Sequence, residues 1–155
     1  MRRITWSECG DREKVLARLR EEFTDTELVE RSADERVQGE LDEFFAGKRE
    51  RFEVAVDPRP QSAFQERVLR RVLHTRFGET VTYGELARAV DKPGAARAVG
   101  RVMATNPLPI IIPCHRVLPA DRSLGNYTGG VRVKEFLLGL EGVHLETPLL
   151  DPSWT

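Results

Sequence analysis

Three consecutive isoleucines closed at both ends by proline, Pro109-Ile110-Ile111-Ile112-Pro113, constrain this chain more than any other stretch. β-Branched residues lose side-chain freedom in a helix, and the run is too short to sustain one. Apolar on both faces, it predicts a buried, strand-like segment that Pro113 ends by fixing φ and removing a donor. Cys114-His115-Arg116-Val117 follows, so a rigid lead-in presents a thiol beside an imidazole. A thiol becomes nucleophilic near neutral pH only when a base or a cation helps it lose its proton, and imidazole serves in either role. Neighbouring side chains on an extended chain point to opposite sides, so contact between Cys114 and His115 requires a bent backbone or an intervening water. Cysteine is also among the most buried residue types, and adjacency to histidine alone leaves reactivity and simple packing both open.

At 155 residues the chain is long enough to bury a core. Its net charge of −1 hides an asymmetry: residues 1–60 carry 12 basic against 16 acidic side chains, residues 61–155 carry 12 against 9. A polyanionic partner would therefore meet the second part. Cys9 and Cys114 read as reduced thiols, because nothing else suggests a secreted disulfide scaffold. His74, His115 and His144 lack metal-ligand spacing, so no metal is expected. The N-terminus lacks an apolar signal core and no run reaches membrane-spanning length, which predicts a cytoplasmic protein without a membrane partner.

The first part is the less informative. Val15, Leu16, Leu19 and Phe23 mark a helical face over 12–23, and Val37–Phe45 reads as a second helix with its glycine stop at Gly47. Phe52, Val54 and Val56 alternate with Glu53 and Ala55, as in a half-buried strand. Asp57-Pro58-Arg59-Pro60 reads as a linker, which divides the chain into residues 1–58 and 59–155. Trp6 and Cys9 carry no constellation.

After the linker, Phe64, Val68, Leu69, Val72 and Leu73 recur at helical spacing within 61–79. Thr82-Tyr83-Gly84-Glu85 has the pattern of a capping box, so a helix should begin at Tyr83. Asp91-Lys92-Pro93-Gly94 forms a turn, and a second short helix spans Ala95–Met103. Two helices across a glycine-containing turn resemble a helix-turn-helix. Gly94, Ala95, Ala96, Ala98 and Gly100 leave one side of the second helix nearly bare, while Arg97 and Arg101, four apart, project together. Such a surface suits a groove, and it equally suits tight packing on a neighbouring helix. Leu118–Asn126 reads as a loop and Tyr127-Thr128-Gly129-Gly130 as a glycine-rich turn. Val133, Phe136, Leu137 and Leu140 mark a last helix ending at Glu141-Gly142, where the macrodipole disfavours a carboxylate. Glu141 therefore needs a partner, for which an imidazole is suited. Residues 143–155 read as a tail.

Taken together, Tyr83-Gly84-Glu85-Leu86-Ala87, Ala95-Ala96-Arg97-Ala98-Val99-Gly100, Asn106-Pro107, Ile111-Ile112-Pro113-Cys114-His115-Arg116-Val117, Gly125–Gly130 and Glu141-Gly142 resemble the O6-alkylguanine-DNA alkyltransferase family in order and spacing over 62–142. The resemblance implies an α/β fold: a small N-terminal α/β lobe, then a mainly α-helical DNA-binding and active-site domain with a winged-helix-like helix-turn-helix. It implies a monomer without cofactor or metal that acts on double-stranded DNA containing O6-alkylguanine, with O4-alkylthymine as a second candidate lesion. The small-residue helix (Ala95, Ala96, Gly100, with Arg101) would enter the minor groove and Arg97 the base stack. The extruded base would lie against Met103, Pro109 and Tyr127, read by backbone near Val117 and Thr128. Glu141 would orient His115, which through a water would take the Cys114 proton; Tyr83 would donate to the leaving base, and Asn106 would tie helix to active site.

Three departures from the family's pattern stand out: Leu69 at a position commonly tryptophan, Arg122 at one commonly glycine, and an N-terminal lobe that is shortened and matches poorly. Other readings of the same residues are a lesion-binding protein that transfers nothing, a cysteine hydrolase and a helix-turn-helix regulator. Cys114 argues against binding alone, catalytic turnover would distinguish the hydrolase, and a plain regulator would not account for Cys114, His115 and Glu141 together.

Overall fold

The computed structural model describes residues 35–145 except 57, 59 and 61, together with 13, 17, 20 and 21. Trp6, Cys9 and residues 146–155 of the expected tail lie outside the described residues. Of the helix expected over 12–23, the four described residues are helical.

The elements are α1 (Glu35–Phe45), α2 (Ala63–Leu73), β1 (Val81–Thr82), α3 (Tyr83–Ala89), α4 (Ala96–Ala104), a 3₁₀ turn (Cys114–Arg116), β2 (Val117–Leu118) and α5 (Val131–Leu140). The fold is thus helical with one small sheet, in which β1 and β2 run parallel and pair Val81 with Val117 and Thr82 with Leu118. Parallel strands need a crossover, which α3 and α4 supply. The pairing brings the segment just after Cys114 beside the start of α3.

Helices α2, α3 and α4 pack on one another. Their shared core holds Val68, Leu69, Val72, Leu86, Ala87, Val99, Val102 and Met103, and Cys114 and Val117 belong to it. Each large aliphatic side chain buried there contributes roughly 1.5–3 kcal/mol. A second cluster joins Phe44 of α1 to Ile110 and Leu137 of α5. Thr82 caps α3 as its sequence predicts: its Oγ1 accepts from the Glu85 N–H at 3.2 Å and Glu85 Oε2 accepts from the Thr82 N–H at 2.6 Å. A cap of this kind is worth about 1 kcal/mol. The turn into α4 uses Asp91 at φ +58° and Gly94 at φ +86°.

Four expectations need correction. The helix placed over 61–79 begins after Ser62 and ends at Leu73, where the His74 and Thr75 N–H groups close on the Arg71 and Val72 carbonyls in a tighter turn and residues 74–80 are not helical. Leu118, placed in a loop, is a strand residue, and its partner Thr82 lies too far away in sequence to be visible in a local pattern. Phe52, Val54 and Val56 do alternate in burial, but they form no strand. The buried Glu40 carboxylate takes up the N–H groups of Glu53 at 2.8 Å and Val54 at 3.3 Å, which a strand would need for pairing. Finally, the isoleucine run is buried but turned, for the reason given next.

Candidate active site

Asn106 decides the shape of the isoleucine run. Its Nδ2 donates to the Ile112 carbonyl at 2.9 Å, and its Oδ1 accepts from the Leu108 N–H at 3.1 Å. The Ile112 N–H also bonds the Leu108 carbonyl at 2.8 Å, and Ile110 inside this turn has φ +74°. A buried amide thus replaces the neighbouring strand that the run would otherwise need. Pro113 then leads into the 3₁₀ turn, whose Arg116 N–H returns to the Pro113 carbonyl at 3.0 Å. Here is the bent backbone that contact between Cys114 and His115 requires.

His115 is fully buried, and its Nε2 lies 2.8 Å from Glu141 Oε1. The same carboxylate takes Arg116 in a two-pronged grip, Nη2 to Oε1 at 2.8 Å and Nε to Oε2 at 2.9 Å. It also accepts the Gly78 N–H at 3.2 Å. Arg116 in turn donates to the Thr75 carbonyl and lies over the Phe77 ring at 6.0 Å. One carboxylate at the end of α5 therefore gathers the thiol-bearing turn and the α2–β1 connection. Glu141 has the imidazole partner expected of it.

Electrostatics follow from that packing. Burial works against the Glu141 carboxylate, but the bonds from His115 and Arg116 together outweigh it and hold its pKa below the ordinary glutamate value. Burial likewise pushes the His115 pKa down, more than its bond to Glu141 raises it, and the Arg116 charge adds to the depression. Burial thus favours a neutral imidazole bonded to a carboxylate whose countercharge is Arg116. Burial pushes the Cys114 thiol up, against hydrogen bonds to Asn106 and Tyr127 that favour the thiolate. A thiol held protonated in this way needs a base at the moment of attack. His115 Nδ1 is buried with no hydrogen-bond partner among the described residues, so it is the nitrogen that remains to accept a proton.

Around the thiol the expected residues converge unevenly. Cys114 Sγ lies 3.8 Å from the Tyr127 hydroxyl. Tyr83, Tyr127 and Ala95 pack on the cluster that contains Cys114, Met103 and Val117, and burial raises the pKa of both tyrosines. Pro109 is buried nearby in sequence. Gly100 faces Tyr83, since a Cβ there would stand 4.0 Å from its Cε1. Arg97, Arg101 and Thr128 stay exposed, outside the buried cluster, with Ala95, Ala96 and Gly100 half-buried on or at the start of α4. Thr128 Oγ1 tethers the glycine-rich turn to the Ala104 carbonyl at 3.4 Å. A cavity of about 400 Å³ borders Phe52, Phe77, Ile110, Pro113 and Arg116, and Cys114 does not line it.

The sequence reading missed Arg116 as the countercharge of Glu141, Gly78 as its backbone donor, and Lys134. Lys134 is fully buried on α5, and burial lowers its pKa to about 8. A signal for it existed: Lys134, Leu137, Leu138 and Glu141 follow the spacing of one buried helix face.

Fold and site define a protein built around one buried, hydrogen-bonded cysteine whose neighbouring histidine is held by a glutamate–arginine pair. Residues 63–143 match the model of the 6-O-methylguanine DNA methyltransferase DNA-binding domain, and the chain belongs to that family. It is 44% identical over 103 residues to a methylated-DNA-protein-cysteine methyltransferase of Methanosarcina acetivorans, a match that covers 66% of this chain and 65% of that one. The relative of the same name from Mycobacterium leprae is 43% identical over 122 residues, covering 79% of this chain and 73% of the relative. The chain thus spans slightly less than two thirds of the Methanosarcina protein. Among solved structures, Mycobacterium tuberculosis OGT in complex with DNA superposes with a TM-score of 0.67 at 44% identity, over 69% of this chain and 66% of the other.

Proposed function

We propose that this chain is a single-use DNA repair protein that turns O6-alkylguanine out of double-stranded DNA and moves the alkyl group onto Cys114. The observation that carries the reading is the buried His115–Glu141 bond at 2.8 Å, one residue from the thiol in a bent turn. A nucleophile, a base and a group that orients the base are then in sequence.

The steps follow from the residues. Helices α3 and α4 act as a winged-helix-like helix-turn-helix within a DNA-binding and active-site domain of residues 59–155, preceded by a small lobe of residues 1–58. The half-buried Ala95, Ala96 and Gly100 let α4 approach the minor groove closely, Arg97 fills the gap left by the extruded base, and Arg101 adds a cation to the same helix. The base lodges against Met103, Pro109 and Tyr127, with backbone near Val117 and Thr128 reading its edges. His115 Nδ1 accepts the Cys114 proton through a water while Glu141, kept charged by Arg116, steadies the imidazolium. The Sγ–carbon bond forms as the carbon–O6 bond breaks, and Tyr83 donates a proton to N3 of the departing guanine. Net, a thiol and an O6-alkyl ether become a thioether and guanine. The thioether has no hydrolysable bond, so each molecule reacts once; on this reading it works as a monomer, without cofactor and inside the cell. O4-alkylthymine is a second substrate on this reading.

Intact-mass measurement with peptide mapping, after incubation with a duplex containing one O6-methylguanine, tests the proposal. One methyl group per chain on Cys114 is the expected result. Retarded DNA without a mass change would replace transfer by lesion binding alone.

A further inference from the structure

Among the described residues, three that are not glycine take a positive φ: Asp91, Ile110 and Arg122. Aspartate tolerates that region through its short polar side chain, and Ile110 is locked there by the buried turn that Asn106 makes. Arg122, at φ +57°, has neither reason. Its N–H closes a turn on the Pro119 carbonyl at 3.0 Å, where glycine would sit without strain. What the arginine gains within the chain is small. Nη1 donates to Thr80 Oγ1 at 3.3 Å and Nη2 to Glu85 Oε1 at 3.4 Å, both long for hydrogen bonds. The side chains of this ion pair are 54% and 40% exposed, and pairs so open to water contribute little to stability. The α3 cap does not need the arginine either, since the other Glu85 oxygen, Oε2, accepts the Thr82 N–H at 2.6 Å. A strained residue carrying a weakly held cation points to a role outside the folded chain.

Its place in the fold selects the partner. Thr80 and Glu85 bracket Tyr83 in sequence, and the Tyr83 ring faces Gly100 of α4. The guanidinium is thus tied to the stretch of chain that meets the small-residue helix. A helix lying in a groove of duplex DNA has phosphates along both flanks, within reach of the elements beside it. Glu85 alone would repel that backbone, and Arg122 offsets its charge. We propose that Arg122 is a DNA-backbone contact: its guanidinium, held on Glu85 and Thr80 in the free protein, turns to a phosphate beside the groove that α4 occupies. The inference rests on the DNA-docking part of the function proposed above. Arginine suits the task, since its planar fork binds two phosphate oxygens at once.

Equilibrium binding of the full chain to an undamaged duplex over a range of salt concentrations tests this, together with urea unfolding. Arg122→Gly should weaken binding about three- to tenfold at low salt. The slope of log affinity against log salt should shrink by about 0.9, the share of one phosphate contact on B-DNA. The urea midpoint should hold or rise, because glycine relieves the left-handed residue. Arg122→Lys should keep most of the slope. Glu85→Gln, whose amide can still cap α3, should tighten binding about threefold. Arg49→Gln removes an arginine paired with Glu43 at 2.7 Å in the first part of the chain, and its slope should match wild type. An Arg122→Gly slope equal to wild type would overturn the proposal, and a lowered urea midpoint beside it would make the residue a structural strap instead. An equal loss of slope in Arg49→Gln would overturn it too, as an effect of net charge. Wild-type protein that binds no duplex would sink the docking reading and this proposal with it. Wild type that binds duplex but takes up no alkyl group would sink only the transfer reading, and the slope would still decide the role of Arg122.

Discussion

Two buried glutamates, Glu40 on α1 and Glu141 after α5, have been given the same treatment by the fold and different neighbours. Each is 5% exposed, each is held below the ordinary glutamate pKa, and each accepts backbone N–H groups together with an arginine. For Glu40, burial opposes the charge while the Glu53 and Val54 amides and the Arg49 and Arg36 side chains favour it. None of those partners changes protonation near neutral pH. Glu141 adds one that does, the His115 imidazole, and His115 follows Cys114 directly in the chain. A satisfied buried carboxylate is therefore only a fastener. Under the proposed function it becomes part of a proton path when one of its partners titrates and stands next to a nucleophile in the chain.

The comparison breaks most violently at the arginines. Arg116→Met leaves Glu141 buried without its countercharge and should cost about 3–5 kcal/mol in urea unfolding. Arg49 contacts Glu40 only at 3.8 Å and has Glu43 at 2.7 Å, so Arg49→Met should leave the unfolding midpoint nearly where it was. Arg116→Met should also raise the His115 pKa, read by NMR, because the guanidinium is one of the groups depressing it. Equal losses at the two arginines would mean that the carboxylates are equivalent after all.

The carboxylates themselves come next. Glu141→Gln should slow alkyl transfer by about a hundredfold or more, the scale of a general base deprived of its orienting partner. Glu40→Gln should lower the unfolding midpoint and leave the rate within about twofold, since Glu40 has no contact with the reacting groups. Acid adds a further distinction. A histidine buried neutral, as burial makes His115, gives stability that is present above the ordinary imidazole pKa of 6.5 and lost as pH falls below it toward the depressed folded value. Glutamates held low keep their contribution until pH falls below the ordinary 4.5. Urea midpoints should thus decline in two phases, and His115→Gln should remove the upper one while Glu40→Gln keeps it. A single phase in wild type would show that His115 is not neutral in the folded protein.

What the sequence revealed was whatever lies close along the chain. The Thr82–Glu85 capping box is a four-residue pattern and was legible in full. Glu141 drew attention because a carboxylate at a helix C-terminus opposes the macrodipole, which called for a partner such as an imidazole, and the family resemblance singled out His115. Arg116 went unread because it sits beside the histidine, where a motif hides a single residue's role. Glu40 and Lys134 share another signal, a charged residue on an apolar helical stripe, with Val37, Leu41 and Phe44 around the first and Leu137 and Leu138 around the second. That pattern announces a buried charge without telling what satisfies it. The satisfying groups, Glu53 N–H in one case and the Val117 and Leu124 carbonyls in the other, come from loops that no periodicity places. For the same reason the isoleucine run looked like a strand: its shape depends on where the Asn106 side chain lands.

The smallest expected effect lies in two glycines in the left-handed region, one just after the helix that carries Glu40 and one bonded to Glu141. Gly47, just after α1, has φ +68° and open space around its missing Cβ. Gly78 has φ +75°, donates to Glu141 Oε2, and would place a Cβ 3.2 Å from the Glu141 carbonyl oxygen. Alanine at either position carries the left-handed penalty of about 1 kcal/mol. At Gly47 that is the whole effect, so Gly47→Ala should lower stability slightly and leave the transfer rate alone. At Gly78 the contact forces a shift of a few tenths of an ångström on the backbone that carries the orienting carboxylate. Gly78→Ala should therefore slow transfer about three- to tenfold on top of a similar stability loss, the scale expected when a positioned group is displaced slightly. Stopped-flow rates set against urea midpoints for the two variants separate the cases, because equal midpoints with unequal rates are what a fastener and a proton path, respectively, should give.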